Sequence, residues 1–351
     1  MKAIRLVEVG APLEIHEVPI PEPSEDEVLI RVAGCGVCHT DIGFWIDGVP
    51  TKRDLPLTLG HEVAGTVVEA GARYAHLSGR QVVIPAMIPC GGCELCRRDR
   101  GNACREQIMP GNDVDGGFAE YLTVPGRGLC PADKTGDCDL SELSVVADAV
   151  TTPYQAIVRS GLAAGDLAVV VGVGGVGGFC AQIAAALGAH VVAIDVDAGR
   201  LGAIAEYGPR LTLNSSDLDF KSIRKEVAAR EAEWGCPPYG RKVFECSGHP
   251  GGQETAFGLI NHASTLMVVG FTLAKTALRL SNLMAFDATA QGTWGCVPEL
   301  YPEALSLVTE GRIELRSFVR TFPMSQGPEV LTQVADHEVR ERAILVPDWE
   351  A

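Results

Sequence analysis

The sequence predicts an α/β protein in two parts: a β-rich first part and, after it, a doubly wound parallel sheet. Three observations carry this. Up to about residue 150, short alternating strands are broken by Gly and Pro. Beyond that point, apolar strand-like runs alternate with helical patterns. A strand there runs straight into Gly172-Val173-Gly174-Gly175-Val176-Gly177 and then a helix. Alternating half-buried strands with turn residues between them suit a partly open barrel. Strand–helix alternation suits βαβ units.

In chain order, residues 1–7 read as a first strand, not as a targeting peptide. Residues 27–32 and 62–69 follow as alternating strands. Past residue 150 come a strand at 167–171, a helix at 177–187, a strand at 191–195 and a helix at 200–207. Later strands fall at 242–246 and 264–270, a helix at 300–310, and a last strand at 343–346. A length of 351 residues suits about two domains. Net charge is −16, which argues against nucleic acid as a partner, because phosphate binding needs a basic face. No apolar run is long enough to span a bilayer. Twelve cysteines behind a strand-like N-terminus point to the reducing cytoplasm and to buried or metal-bound thiols.

Cys90, Cys93, Cys96 and Cys104 are spaced C-x2-C-x2-C-x7-C. One loop thereby offers four thiolates to a tetrahedral ion, the pattern of a closed structural zinc site. The alternatives are four unrelated buried cysteines or two disulfide pairs. The run Arg97-Arg98-Asp99-Arg100 inside this loop reads as solvated surface.

The glycine turn fits a dinucleotide. Gly172 permits the sharp turn, Gly174 a close approach to the pyrophosphate, and Gly177 close helix–strand packing, while Gly175 and Val176 lead into the helix N-terminus. Asp195 ends the next strand, eighteen residues after Gly177. An acid there accepts the adenosine ribose hydroxyls and repels a 2′-phosphate, which favours NAD. Arg200, five residues on, is the group that would serve NADP instead. A second zinc, catalytic and with an open position, needs three protein ligands, and Cys38 and His61 are the candidates in the first part.

Five stretches now combine: Gly36-Val37-Cys38-His39-Thr40-Asp41, Gly60-His61-Glu62-Val63-Ala64-Gly65, the four-cysteine loop, the glycine turn, and Phe244-Glu245-Cys246-Ser247-Gly248. With them the chain resembles the zinc-dependent medium-chain alcohol dehydrogenases over essentially its full length. The resemblance implies a GroES-like catalytic domain over 1–149, a Rossmann NAD-binding domain over 150–297, and a return to the catalytic domain over 298–351. It implies two zinc ions per chain, NAD, a cytoplasmic homodimer or homotetramer, and a small alcohol or ketone as substrate. Cys38 and His61 would hold the catalytic zinc. The third ligand is commonly Cys or Glu; the matching position here is Asp148, just before Thr151-Thr152-Pro153-Tyr154. Glu62 would lie behind the metal as an exchange ligand, and Asp41 would orient the His61 ring. Thr40 would bond the alcohol and start a proton relay. The His that often ends that relay is replaced by Gly43. His39 would contact the cofactor pyrophosphate, and Gly270 would line the cofactor site.

Within the family, residues 47–51, Asp148 and residues 292–299 resemble dehydrogenases of a cyclic allylic alcohol carried as a CoA thioester in anaerobic aromatic degradation. Lys52 and Arg53 would then meet the phosphates, or be ordinary loop charges. Phe44, Trp45 and Trp294 would wall an apolar pocket, or be core. The rival readings are a polyol or other secondary-alcohol dehydrogenase, a C=C reductase on the same fold, and a non-catalytic nucleotide sensor.

Overall fold

Strands β1 (Lys2–Leu6), β2 (Glu14–Glu17), β3 (Glu27–Gly36), β4 (Leu57–Thr58), β5 (Glu62–Ala70), β6 (Gln81–Ile84), β7 (Tyr121–Pro125) and β8 (Cys130–Pro131) build the first unit of the computed structural model, which describes residues 1–349. This unit holds Met1–Thr151, Gly295–Gly311 and the residues from Leu315 on. The second holds Thr152–Trp294 and Arg312–Glu314. Strands β9 (Leu167–Val171), β10 (His190–Asp195), β11 (Leu211–Asn214), β12 (Lys242–Glu245), β13 (Thr265–Val268) and β14 (Thr289–Gly292) lie in the second unit. The chain then returns with β15 (Val319–Pro323) and β16 (Arg342–Val346).

In the first unit β3 is the spine. It pairs antiparallel with β5, β7 and β16, and β16 pairs parallel with β15. The ladder with β5 shifts register between Leu29 and Ile30 and again between Val32 and Gly34. Bulges of this kind bend a strand and let a sheet curl. The strand runs on to Gly36, past the expected end at residue 32, because Gly34, Cys35 and Gly36 go on pairing with β5, and Cys35 and Gly36 also with β16. At Gly34 a Cβ would stand 2.7 Å from the Ser141 carbonyl oxygen, so the bend brings two backbones together where no side chain fits. The core beneath includes Ile4, Ile30, Leu57, Ile84, Phe118 and Leu345, all buried.

The second unit is a parallel sheet in the order β11-β10-β9-β12-β13-β14. All five residues of β9 are buried, as expected of a central parallel strand covered on both faces. Strand order reverses between β9 and β12, the crevice where open α/β sheets take ligands. β13 stops at Val268, short of the expected residue 270, because the amides of Val269 and Gly270 both turn to the Glu245 carbonyl, at 2.8 and 2.9 Å. The helix expected over 200–207 spans Ala198–Ile204. Its start is set by Asp197, whose side chain accepts from the Gly199 and Arg200 amides. Among the described residues no helix is long and apolar enough to cross a membrane.

Candidate functional site

Four side chains of the first unit converge. Cys38 follows β3 and caps the short helix His39–Trp45; its amide donates to Asp41 Oδ2 at 3.0 Å. His61 immediately precedes β5. Asp148 ends the 3₁₀ turn Glu142–Ala147. The ligand atoms of Cys38, His61, Glu62 and Asp148 all lie within 4.8 Å of one another. Asp148 Oδ2 is 3.7 Å from Cys38 Sγ and 3.7 Å from His61 Nε2. Bonds of about 2.0–2.3 Å in a tetrahedral site put ligand atoms roughly 3.3–3.8 Å apart, so these three fit one zinc ion.

The surroundings tighten that fit. Asp41, fully buried, accepts at Oδ1 from the Gly60 amide at 3.1 Å and lies 3.2 Å from His61 Nδ1. That contact leaves Nε2 for the metal. Burial opposes a proton on His61, but Asp41, Asp148 and Cys38 outweigh burial and push its pKa well above the usual imidazole value. Several anionic groups are thus arranged around one position, and a metal cation would replace that proton. Glu62 is different. Both its oxygens face the Arg342 guanidinium, Nε to Oε2 at 3.0 Å and Nη2 to Oε1. Burial pushes the Glu62 carboxyl up, and Arg342 opposes the shift.

Two contributors escaped the sequence reading. Arg342 sits just ahead of the apolar run at 343–346, where a lone cation at the head of a buried strand is the available signal. The Tyr301 hydroxyl donates to the Ala147 carbonyl at 2.5 Å and accepts from the Ala86 amide at 3.1 Å, which pins the turn that carries Asp148.

The four-cysteine loop closes on itself. Sγ–Sγ distances are 3.8 Å (Cys90–Cys96), 3.4 Å (Cys93–Cys96) and 3.7 Å (Cys93–Cys104). These are far beyond a disulfide bond of about 2.05 Å and near the edge of a zinc–thiolate tetrahedron, about 3.8 Å. Backbone amides of Gly92 and Cys93 point at Cys90 Sγ, at 3.4 and 3.3 Å. The Cys96 amide and thiol lower Cys93 to about 7, while burial and Cys93 push Cys96 up to about 12. Such a shared-proton cluster suits a cation.

In the second unit the glycine turn is built as its sequence implies. Gly172 has φ +86°, and a Cβ there would stand 2.6 Å from Ser247 Cα. A Cβ on Gly177 would overlap the Gly172 carbonyl. At Gly174 a Cβ would meet only Arg200, whose Nη1 is 3.6 Å away. Gly175 and Val176 complete the turn into the helix Gly177–Ala186. Asp195 Oδ2 accepts from the Val173 amide at 2.7 Å and Oδ1 from the Asp197 amide at 2.9 Å, so the acid is tied to the turn. Gly270 packs beside Gly248 and Glu245.

Other sites stand differently. Thr40 Oγ1 is 3.6 Å from Cys38 Sγ. His39 stacks on His337, ring centroids 5.5 Å apart. Phe44 and Trp45 belong to the core of the first unit, and Trp45 Nε1 donates to the Ala11 carbonyl at 2.6 Å. Of their two readings, pocket wall or core, this burial favours core. Trp294 is 49% exposed. Lys52 pairs with Asp113 at 2.6 Å and Arg53 with Asp115 at 3.1 Å, so both cations already have carboxylate partners.

The comparisons agree with this geometry. Residues 24–134 match the alcohol dehydrogenase GroES-like domain, and residues 175–310 the zinc-binding dehydrogenase family. Alcohol dehydrogenase 1 of Caenorhabditis elegans is 35% identical, covering 96% of this chain and 94% of its own. L-galactonate-5-dehydrogenase of Escherichia coli is 30% identical, over 84% of this chain and 83% of its own. Among solved structures, the alcohol dehydrogenase of Aeropyrum pernix superposes with TM-score 0.87 at 26% identity, covering 99% of this chain and 100% of that one. The chain is an oxidoreductase and belongs to the zinc-dependent medium-chain alcohol dehydrogenase family.

Proposed function

We propose that the protein oxidises a secondary alcohol to a ketone with NAD, using Cys38, His61 and Asp148 as the catalytic zinc ligands. The observation that carries this is the equal 3.7 Å reach of Asp148 Oδ2 to Cys38 Sγ and His61 Nε2, while Glu62 is held by Arg342. When bound, zinc held by Cys38, His61 and Asp148 would supply Lewis acidity at the alcohol oxygen, and NAD would supply a hydride acceptor. Thr40, beside Cys38, takes up the alcohol proton and passes its own outward. Gly43 leaves that path without a histidine; Asp47 Oδ2 lies 3.9 Å from where a Cβ at Gly43 would be. Asp195 supports NAD over NADP, because its charge sits against the glycine turn.

The substrate we propose is a cyclic allylic alcohol, 6-hydroxycyclohex-1-ene-1-carbonyl-CoA. The support is residues 47–51, Asp148 and residues 292–299. Lys52 and Arg53 add nothing to it, since both are paired. A polyol is the second reading, favoured by the L-galactonate-5-dehydrogenase relative. A homodimer or homotetramer goes with either, because β14 is an edge strand and Phe271, Leu273, Leu280 and Met284 are exposed. The test is kcat/KM for the CoA thioester, the same alcohol without CoA, and a polyol, each with NAD and NADP. A lead of about tenfold (~1.4 kcal/mol) for the thioester supports the reading, and a polyol in first place overturns it.

A further inference from the structure

Glu245 is 1% exposed and ends β12, the strand beside β9 at the reversal of the sheet. Its Oε1 accepts three hydrogen bonds: from the Ser247 amide at 2.8 Å, the Ser247 hydroxyl at 2.5 Å and the Gly248 amide at 3.1 Å. Its backbone carbonyl accepts the amides of Val269 and Gly270. One residue therefore sets two loops at the C-terminal edge of the sheet. Its Oε2 is buried with no hydrogen-bond partner among the described residues.

The Ser247 turn it holds is the wall against Gly172. A Cβ on Gly172 would stand 2.6 Å from Ser247 N and Cα. Strand order also fixes the side. Asp195 ends β10 on one flank of β9, and Glu245 ends β12 on the other. A dinucleotide whose adenosine ribose meets Asp195 and whose pyrophosphate crosses the glycine turn must lay its other half over β12.

We infer that Glu245 is a positioning residue for the nicotinamide half of the cofactor, acting through the Ser247–Gly248 backbone. Keeping a carboxylate buried with one oxygen unpartnered opposes folding, so stability alone does not account for it. The inference rests on the dinucleotide reading above.

Binding of NAD and of AMP, measured by titration calorimetry on the zinc-loaded protein, tests it. Glu245→Ala should weaken NAD at least tenfold and leave AMP within about twofold of wild type. Glu245→Gln keeps an accepting oxygen and should restore NAD to within about threefold. If Glu245→Ala does not fold, Glu245→Asp, one methylene shorter, should show the same split between NAD and AMP. Unchanged NAD affinity in a folded Glu245→Ala or Glu245→Asp overturns the inference, and so does an equal loss of NAD and AMP. A wild type that binds neither ligand overturns the dinucleotide reading and this inference with it.

Discussion

At the level of single residues, charge and partners separate Asp148 from Glu62. Asp148 has 16% side-chain exposure and faces Cys38 and His61. Glu62 has none and faces Arg342. Asp148→Asn keeps the shape and one oxygen but removes the charge that balances the metal. Zinc content should fall from about two ions per chain toward one, because the cysteine loop keeps its own. Alcohol oxidation should fall by at least ~100-fold. Elemental analysis and steady-state rates check both, and full occupancy with normal turnover would return the ligand role to Glu62. Asp195 carries a double duty that its sequence position does not show. Asp195→Gly removes the repulsion of a 2′-phosphate, so the NADP-to-NAD ratio of kcat/KM should rise about tenfold or more. It also leaves the Val173 and Asp197 amides without their acceptor, at about 1–3 kcal/mol in stability. A wild type that already prefers NADP would defeat this reading.

At the level of the strand–turn–helix element, the three glycines answer to different constraints. Gly177 is demanded by the protein itself, since a methyl there overlaps the Gly172 carbonyl. Gly174 is not: its Cβ direction is open except for the Arg200 side chain at 3.6 Å. On the dinucleotide reading proposed above, it is the pyrophosphate that would exclude a side chain at Gly174. Gly174→Ala should keep Tm within about 3 °C of wild type yet weaken NAD binding. Gly177→Ala should lose more than about 3 kcal/mol or fail to fold. Thermal melts and NAD titrations separate the two; a Gly174→Ala variant with wild-type affinity would show that the pyrophosphate passes elsewhere.

Across the whole chain, the C-terminal return does structural work at the metal centre. Arg342, on β16, reaches Glu62, on β5, across 280 positions of sequence, and both side chains are buried. Removing one partner of such a pair leaves an uncompensated buried charge, which costs roughly 3–5 kcal/mol. Arg342→Ala should lower the urea midpoint accordingly. Arg342→Lys, which retains a charge but not the planar fork, should fall between. A loss under about 1 kcal/mol would mean that Glu62 is readily neutralised and that the pair is not structurally required. Tyr301 acts in the same way, holding Ala147 from the returning segment.

The parts legible in the sequence are those whose residues are neighbours along the chain. The four cysteines need only one loop to reach tetrahedral spacing, and the glycine turn needs only a strand, a bend and a helix. β9 matched its expected bounds because a fully apolar five-residue run between turn residues has no competing reading. Local pattern was silent wherever distant segments meet. It did not show that Glu62 is bound by Arg342 or that Asp113 and Asp115 pair with Lys52 and Arg53. It left Phe44 and Trp45 open between pocket and core, and did not show Glu245 clamping the wall beside Gly172. Each of these depends on burial and on contacts made by folding, and no periodicity of 2 or 3.6 residues records them. The sequence by itself determined the two βαβ-bearing and β-rich textures, the metal-binding loop and the turn, because local geometry suffices for them. The tertiary structure alone decided that Glu62 meets Arg342, because that contact joins two strands 280 positions apart in the chain.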